Sequence, residues 1–184
     1  MHFTNLMIAA SISAQAGQGS IPQPLFTPRE HAALSQSAAH DCGYATPQEL
    51  ISLAGNERDK ALPCLVRVTV EQSGKLLPKQ VEPGAAITSA RETEGLLVFI
   101  IQLDPDHPRA AQEEDRTGFD GLLSNRTCQD RWLGGLIDAG MDGGKQARMA
   151  VVYQFQDKAR RTLAITAVAQ CFDRTAGAGN KIQS

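Results

Sequence analysis

The sequence predicts an α+β fold, one small antiparallel sheet packed against helices and stabilised by disulfides, on three observations. Two segments, Thr27-Pro28-Arg29-Glu30 and Thr46-Pro47-Gln48-Glu49, carry the same helix-start device: Thr as N-cap, Pro at the first helical position and Glu placed to reach back to the cap amide. Leu96 to Leu103 is an apolar run of strand length, interrupted only by Gln102, and the last third alternates apolar and polar residues on either side of a polar turn. Cys42, Cys64, Cys128 and Cys171 form an even set without Cys-x-x-Cys, which reads as two bridges made in an oxidising compartment.

The amino terminus fits that compartment. An apolar run from Leu6 to Ala14 ends in Ala14-Gln15-Ala16, the small-x-small form of a signal-peptidase site, although no Lys or Arg precedes it. Residues 1–16 are therefore expected to be a signal peptide and the Gly/Gln/Ser/Pro-rich residues 17–26 a flexible lead-in. Residues 27–173 then make a single α+β domain that begins with a helical pair, and the polar, Gly-rich residues 174–184 a disordered tail. At 184 residues and 42% hydrophobic content the chain supports one core. A net charge of −2 with no basic stripe gives nucleic-acid binding no electrostatic footing, and 5% aromatic residues disfavour a carbohydrate platform. Nothing after the leader approaches the apolar length of a transmembrane span, so the expected location is periplasmic or secreted.

Each element has its own reason. The first helix, from Thr27, is Ala/Ser-rich. The second, from Thr46, has a greasier face of Leu50, Ile51 and Leu53 and is expected to end at Gly55. Cys42 lies between these helices and Cys64 after them, so a bridge joining the two would tie the helical pair to the next element of the chain. Leu65 to Leu77 supports two readings. The alternation Val66-Arg67-Val68-Thr69-Val70-Glu71 favours a strand, while Leu65, Val66, Thr69, Val70, Leu76 and Leu77 share a face at helical spacing, with Pro78 as the stop.

Ile87 to Arg91 predicts a short strand, Glu92 to Gly95 a turn and Leu96 to Leu103 a buried strand ended by Asp104-Pro105-Asp106-His107-Pro108. Ala110 to Ser124 predicts a helix weakened by Gly118 and Gly121. Thr127 is the expected N-cap of a further helix, with Asp130 at its third position, Trp132, Leu133, Leu136 and Ile137 on one side and Gly140 as the close. A hairpin finishes the domain: Met149, Val151, Tyr153 and Phe155 on one face, Leu163, Ile165, Ala167, Ala169 and Cys171 on another, and Gln156 to Arg160 as the turn. A bridge from Cys128 to Cys171 would staple a helix start to the final strand.

Several of these residues resemble a known pattern: Leu77-Pro78, Val81-Glu82, Ile87, the strand at Leu96 to Leu103, Cys128, Leu136-Ile137, Gly140, Tyr153-Gln154-Phe155-Gln156-Asp157 and Cys171. The pattern is that of small, mostly uncharacterised bacterial exported α+β proteins with a Leu-Pro element and a Cys…Cys pair ending in a C-terminal hairpin. The resemblance covers Leu65 to Cys171 and implies the helical reading of Leu65 to Leu77, against the local alternation. It brings no catalytic motif, and Cys42, Cys64 and the first helical pair lie outside it.

No nucleophile elbow, zincin motif, phosphate loop or dinucleotide fingerprint occurs, and no cofactor or metal site is expected. The side chains left for chemistry are His31, His40, Asp41, Cys42, Tyr44, Tyr153, His107 and the acidic group Asp104, Asp106, Glu113, Glu114 and Asp115. Gly134 and Gly135 are expected to serve helix packing. The residues leave two functions of different classes. The favoured one is a non-catalytic exported protein that binds another protein, as an accessory component of a secretion or conjugation apparatus or as an immunity-type inhibitor. The alternative is a small exported hydrolase that uses Cys42 with a histidine, or the acidic and histidine cluster from Asp104 to Asp115, and Cys42 serves it only as a free thiolate.

Overall fold

The computed structural model describes residues 24–53, 55–107, 116–142, 146–147 and 149–171. In chain order the elements are α1 (Pro28–Asp41), α2 (Pro47–Ile51), α3 (Gly55–Gly74), β1 (Lys79–Glu82), β2 (Ala85–Thr93) and β3 (Leu96–Leu103), then α4 (Arg116–Gln129), α5 (Arg131–Ala139), β4 (Met141–Asp142), β5 (Gln146–Ala147), β6 (Val151–Gln156) and β7 (Thr162–Val168). The proposed leader, the tail, residues 108–115 and the Gly143-Gly144 loop lie outside the described residues.

The Thr caps and first-turn prolines are in place at both helix starts, but Glu reaches back to the cap amide only at Thr27; Glu49 accepts instead from the Ala45 amide at 2.8 Å. Thr27 caps α1 in a complete capping box with Glu30, and the Thr46 hydroxyl accepts from the Glu49 amide at the head of α2. The second helix is shorter than expected, closing at Ser52, and Gly55 begins the next helix instead of ending this one.

That next helix corrects the strand reading of Leu65 to Leu77. Leu62, Leu65, Val66, Thr69 and Ser73 recur at helical spacing and are all buried, while Arg67 and Glu71 point to solvent. The six-residue alternation is real. It is outweighed because α3 packs against both α1 and β2, and a helix with a wide apolar face satisfies two neighbours where a half-buried strand satisfies one.

Among the described residues five strands form one sheet in the order β1-β2-β3-β6-β7. Antiparallel pairing holds at β1·β2, β2·β3 and β6·β7, but β3 and β6 run parallel, with Phe99 opposite Tyr153. The expected all-antiparallel sheet is thus corrected to a mixed one. The cause is the crossover through α4 and α5, which returns the chain to the end of the sheet where β3 began. The core fills the space between the helices and the face carrying Leu97, Phe99, Ile101, Val151, Tyr153 and Phe155. In β7 the partners of that face are Ala164, Thr166 and Val168, so Leu163, Ile165 and Ala167 lie on the opposite face and Ile165 is 65% exposed.

Two further boundaries move. Leu25 and Phe26, expected in the lead-in, are buried in the core, so the packed domain begins ahead of Thr27. Thr127 is not a cap: α4 continues to Gln129, and Asp130 is the N-cap of α5, accepting from the Trp132 and Leu133 amides. The Thr127 hydroxyl is instead turned inward, donating to the Leu123 carbonyl and bonding to the Tyr153 hydroxyl. Disulfides join Cys42 to Cys64, between α1 and α3, and Cys128 to Cys171, between α4 and the end of the hairpin.

Candidate functional site

A cleft of about 450 Å³ opens among α1, α2, α3 and α5. Its floor is apolar. Leu50 and Leu53 come from α2 and the turn after it, Leu65 from α3, and Trp132, Leu136 and Ala139 from α5. These residues face one way because α5 concentrates its apolar side chains at 132, 133, 136 and 137, and the Asp130 cap fixes where that helix starts.

Trp132 is held firmly. Its indole Nε1 donates to Thr69 Oγ1 at 2.8 Å, and Thr69 Oγ1 donates to the Leu65 carbonyl at 2.7 Å, so both polar atoms are satisfied within the core. His31, from α1, meets the indole edge-on with ring centroids 6.2 Å apart. His31 Nε2 is out of contact with solvent yet has no hydrogen-bond partner among the described residues. Arg58, Arg131 and Asp138 supply the charged groups of the lining, and Arg58 Nε donates to the Leu53 carbonyl at 2.8 Å.

The two adjacent glycines divide the work. A Cβ at Gly134 would stand 3.3 Å from the Cys128 carbonyl, so this glycine lets α5 approach the end of α4. A Cβ at Gly135 would meet nothing within 4 Å; Gly135 is exposed and lines the cleft, where its missing side chain keeps the mouth open. Packing therefore accounts for Gly134 only.

The residues singled out for chemistry do not converge. Cys42 Sγ is bonded to Cys64, which removes the thiolate that a cysteine nucleophile requires. His40 Nδ1 lies 2.7 Å from Asp41 Oδ1 on an exposed helix end. His107 is buried and pairs with Glu82 at 3.0 Å, whereas Asp104 faces Lys158 at 3.6 Å. Asp106 is exposed, and Glu113, Glu114 and Asp115 fall outside the described residues. Tyr44 packs against the core. Tyr153 is fully buried and stacks on Phe99, and burial pushes its phenol well above the usual range, so it is a structural hydroxyl. Among the described residues no group of three or more His, Cys, Asp or Glu side chains is arranged to hold a metal ion, and no helix is long and apolar enough to cross a membrane.

Sequence reasoning placed Trp132 and Leu136 on one helix side but did not find the cleft. Its other walls come from residues about 70 to 100 positions upstream, and no local pattern joins them. The one signal in the chain was Gly135, a helix-weakening residue in the middle of an otherwise strong amphipathic helix.

No protein-family model and no curated protein sequence matches the chain. Three solved structures resemble it. The pilotin EpsS of the type 2 secretion system of Vibrio vulnificus aligns with a TM-score of 0.51 and 11% identity, over 65% of this chain and 100% of EpsS. A Pseudomonas aeruginosa protein that is assigned, without proof, to the secreted class aligns with a TM-score of 0.49 and 13% identity, over 67% of this chain and 98% of its own. The type II secretion pilotin AspS of Vibrio cholerae aligns with a TM-score of 0.48 and 14% identity, over 62% and 94% respectively. At 11% identity the likeness to EpsS is one of fold.

Proposed function

We propose that this chain is a non-catalytic exported protein that works by holding a segment of another protein in the cleft among α1, α2, α3 and α5, as an accessory component of a secretion apparatus. The cleft carries the proposal: an apolar floor containing Trp132 and Leu136, in a volume of about 450 Å³, has the size and lining of a recognition site. Its walls are braced by the Cys42–Cys64 disulfide and the Asp130 cap, so the cavity is largely formed before anything binds. Two disulfides support export to the periplasm or beyond, since such bridges persist in oxidising compartments. The fold shared with a secretion pilotin supports the choice of apparatus.

The test fills the mouth of the cleft without touching the core. Gly135→Phe adds a ring where a Cβ meets no other atom and removes a glycine from a helix, so the fold is expected to keep or gain thermal stability. Photo-crosslinking in cells is expected to join the wild-type chain to a secretion component in the envelope fraction and to lose that product in Gly135→Phe. A variant that still yields the crosslink would overturn the cleft as the docking site, and recovery of the protein in the cytosol with Met1 intact would overturn export.

A further inference from the structure

The geometry points to the chemistry of the segment that the cleft takes: an apolar polypeptide stretch that carries carboxylates. This inference rests on the docking function proposed above. The apolar floor is flanked by two guanidinium groups on different elements, Arg58 of α3 and Arg131 of α5. Among the described residues neither forms an ion pair, Arg58 spends only its Nε, on the Leu53 carbonyl, and Arg131 makes no side-chain hydrogen bond. Asp138, the carboxylate of the lining, already has a partner. Among the described residues the lining therefore sets two guanidinium charges against one carboxylate, a positive balance.

Any occupant that covers the floor also strips water from these groups. Guanidinium groups donate and never accept, so an apolar occupant with no acceptors leaves them desolvated and unpaired, which is costly. Carboxylates answer this need with two parallel charge-assisted bonds each. The demand is spread over α3 and α5, more than one headgroup supplies, and this favours a polypeptide with several acceptors over a single-headed lipid. Charge complementarity of this kind also sets which apolar segments are refused: a lysine-flanked segment meets two like charges.

Trp132 is the chain's single tryptophan and forms part of the floor, so its emission reports occupancy directly. The probes are a short end-capped peptide of leucine, alanine and glutamate, the same peptide with lysine in place of glutamate, and dodecanoate. The glutamate peptide is expected to shift Trp132 emission and to bind about tenfold or more tightly than the lysine peptide, with the difference shrinking at high salt. In Arg131→Glu the preference is expected to vanish or reverse; the site is exposed and at the start of α5, where an acidic side chain suits the helix, so folding is preserved. Equal binding of the two peptides, binding of neither, an unchanged preference in Arg131→Glu, or dodecanoate displacing the glutamate peptide at lower concentration would each overturn the inference. The docking function fails separately, by Gly135→Phe keeping its crosslink.

Discussion

Asp130 serves two parts of the chain with one carboxylate. Oδ1 accepts from the Trp132 and Leu133 amides, each at 3.0 Å, and caps α5, while Oδ2 accepts from the Phe26 amide at 2.7 Å across 104 residues of sequence. Substitution separates the two roles. In Asp130→Asn the remaining oxygen can still cap the helix, but the new amide group faces the Phe26 N–H donor to donor, and a buried N–H left unsatisfied costs about 1–3 kcal/mol. Asp130→Ala loses the cap as well, a further ~1 kcal/mol. Urea midpoints are expected to fall in the order wild type, Asn, Ala, and equal midpoints for the two variants would mean that the cap contributes nothing. This residue also marks the limit of local reading. Thr127 and Asp130 are both good caps, and choosing between them depends on where the Thr127 hydroxyl goes. It goes to Leu123 and to Tyr153, a residue on a distant strand, so the deciding contact is not local.

At the scale of elements the same division recurs. Leu96 to Leu103 was legible to the residue because a short apolar run centred on Val98-Phe99-Ile100-Ile101 and bounded by turn residues has one good solution, whereas residues 65–74 offered two and were decided by the neighbours of α3. The cleft belongs to the second kind, since it exists only once α1 and α5 are laid beside α3. The Cys42–Cys64 bridge closes a separation of 22 residues, worth about 3 kcal/mol of chain entropy, and it fixes the α1 wall that carries His31 and Ser35. A Cys42→Ala/Cys64→Ala variant is therefore expected to lose about 3 kcal/mol and to show faster amide exchange in α1 than in β3 and β6, with weakened binding at the cleft. Uniform acceleration across helices and sheet would show instead that the bridge acts on the whole fold and not on that wall.

Across the whole molecule, two carboxyl groups join distant parts and titrate in opposite senses. Glu30 completes the cap of α1 and pairs with Lys79 of β1 at 2.6 Å, linking the helical layer to the sheet edge, and Lys79 also sits over the Phe26 ring. Burial pushes the Glu30 carboxyl up, but the hydrogen bonds from Lys79 and the Thr27 amide and hydroxyl, with the Lys79 charge, outweigh it and hold the group below its ordinary 4.5. Its contribution to stability is thus present above that value and lost as pH falls through the lowered one. Asp130 does the reverse. Burial pushes its carboxyl above the ordinary 3.8 despite three amide hydrogen bonds, so its contribution is full below that value and is lost as pH rises through the raised one. Together they predict greatest stability in mildly acidic solution, falling on the acid side through Glu30 and toward neutrality through Asp130. Urea midpoints measured against pH separate the two: Glu30→Gln is expected to flatten the acid limb alone, and Asp130→Asn the neutral limb alone. If both limbs persist in the double variant, other groups set the acid response and these two links between layers are electrostatically silent.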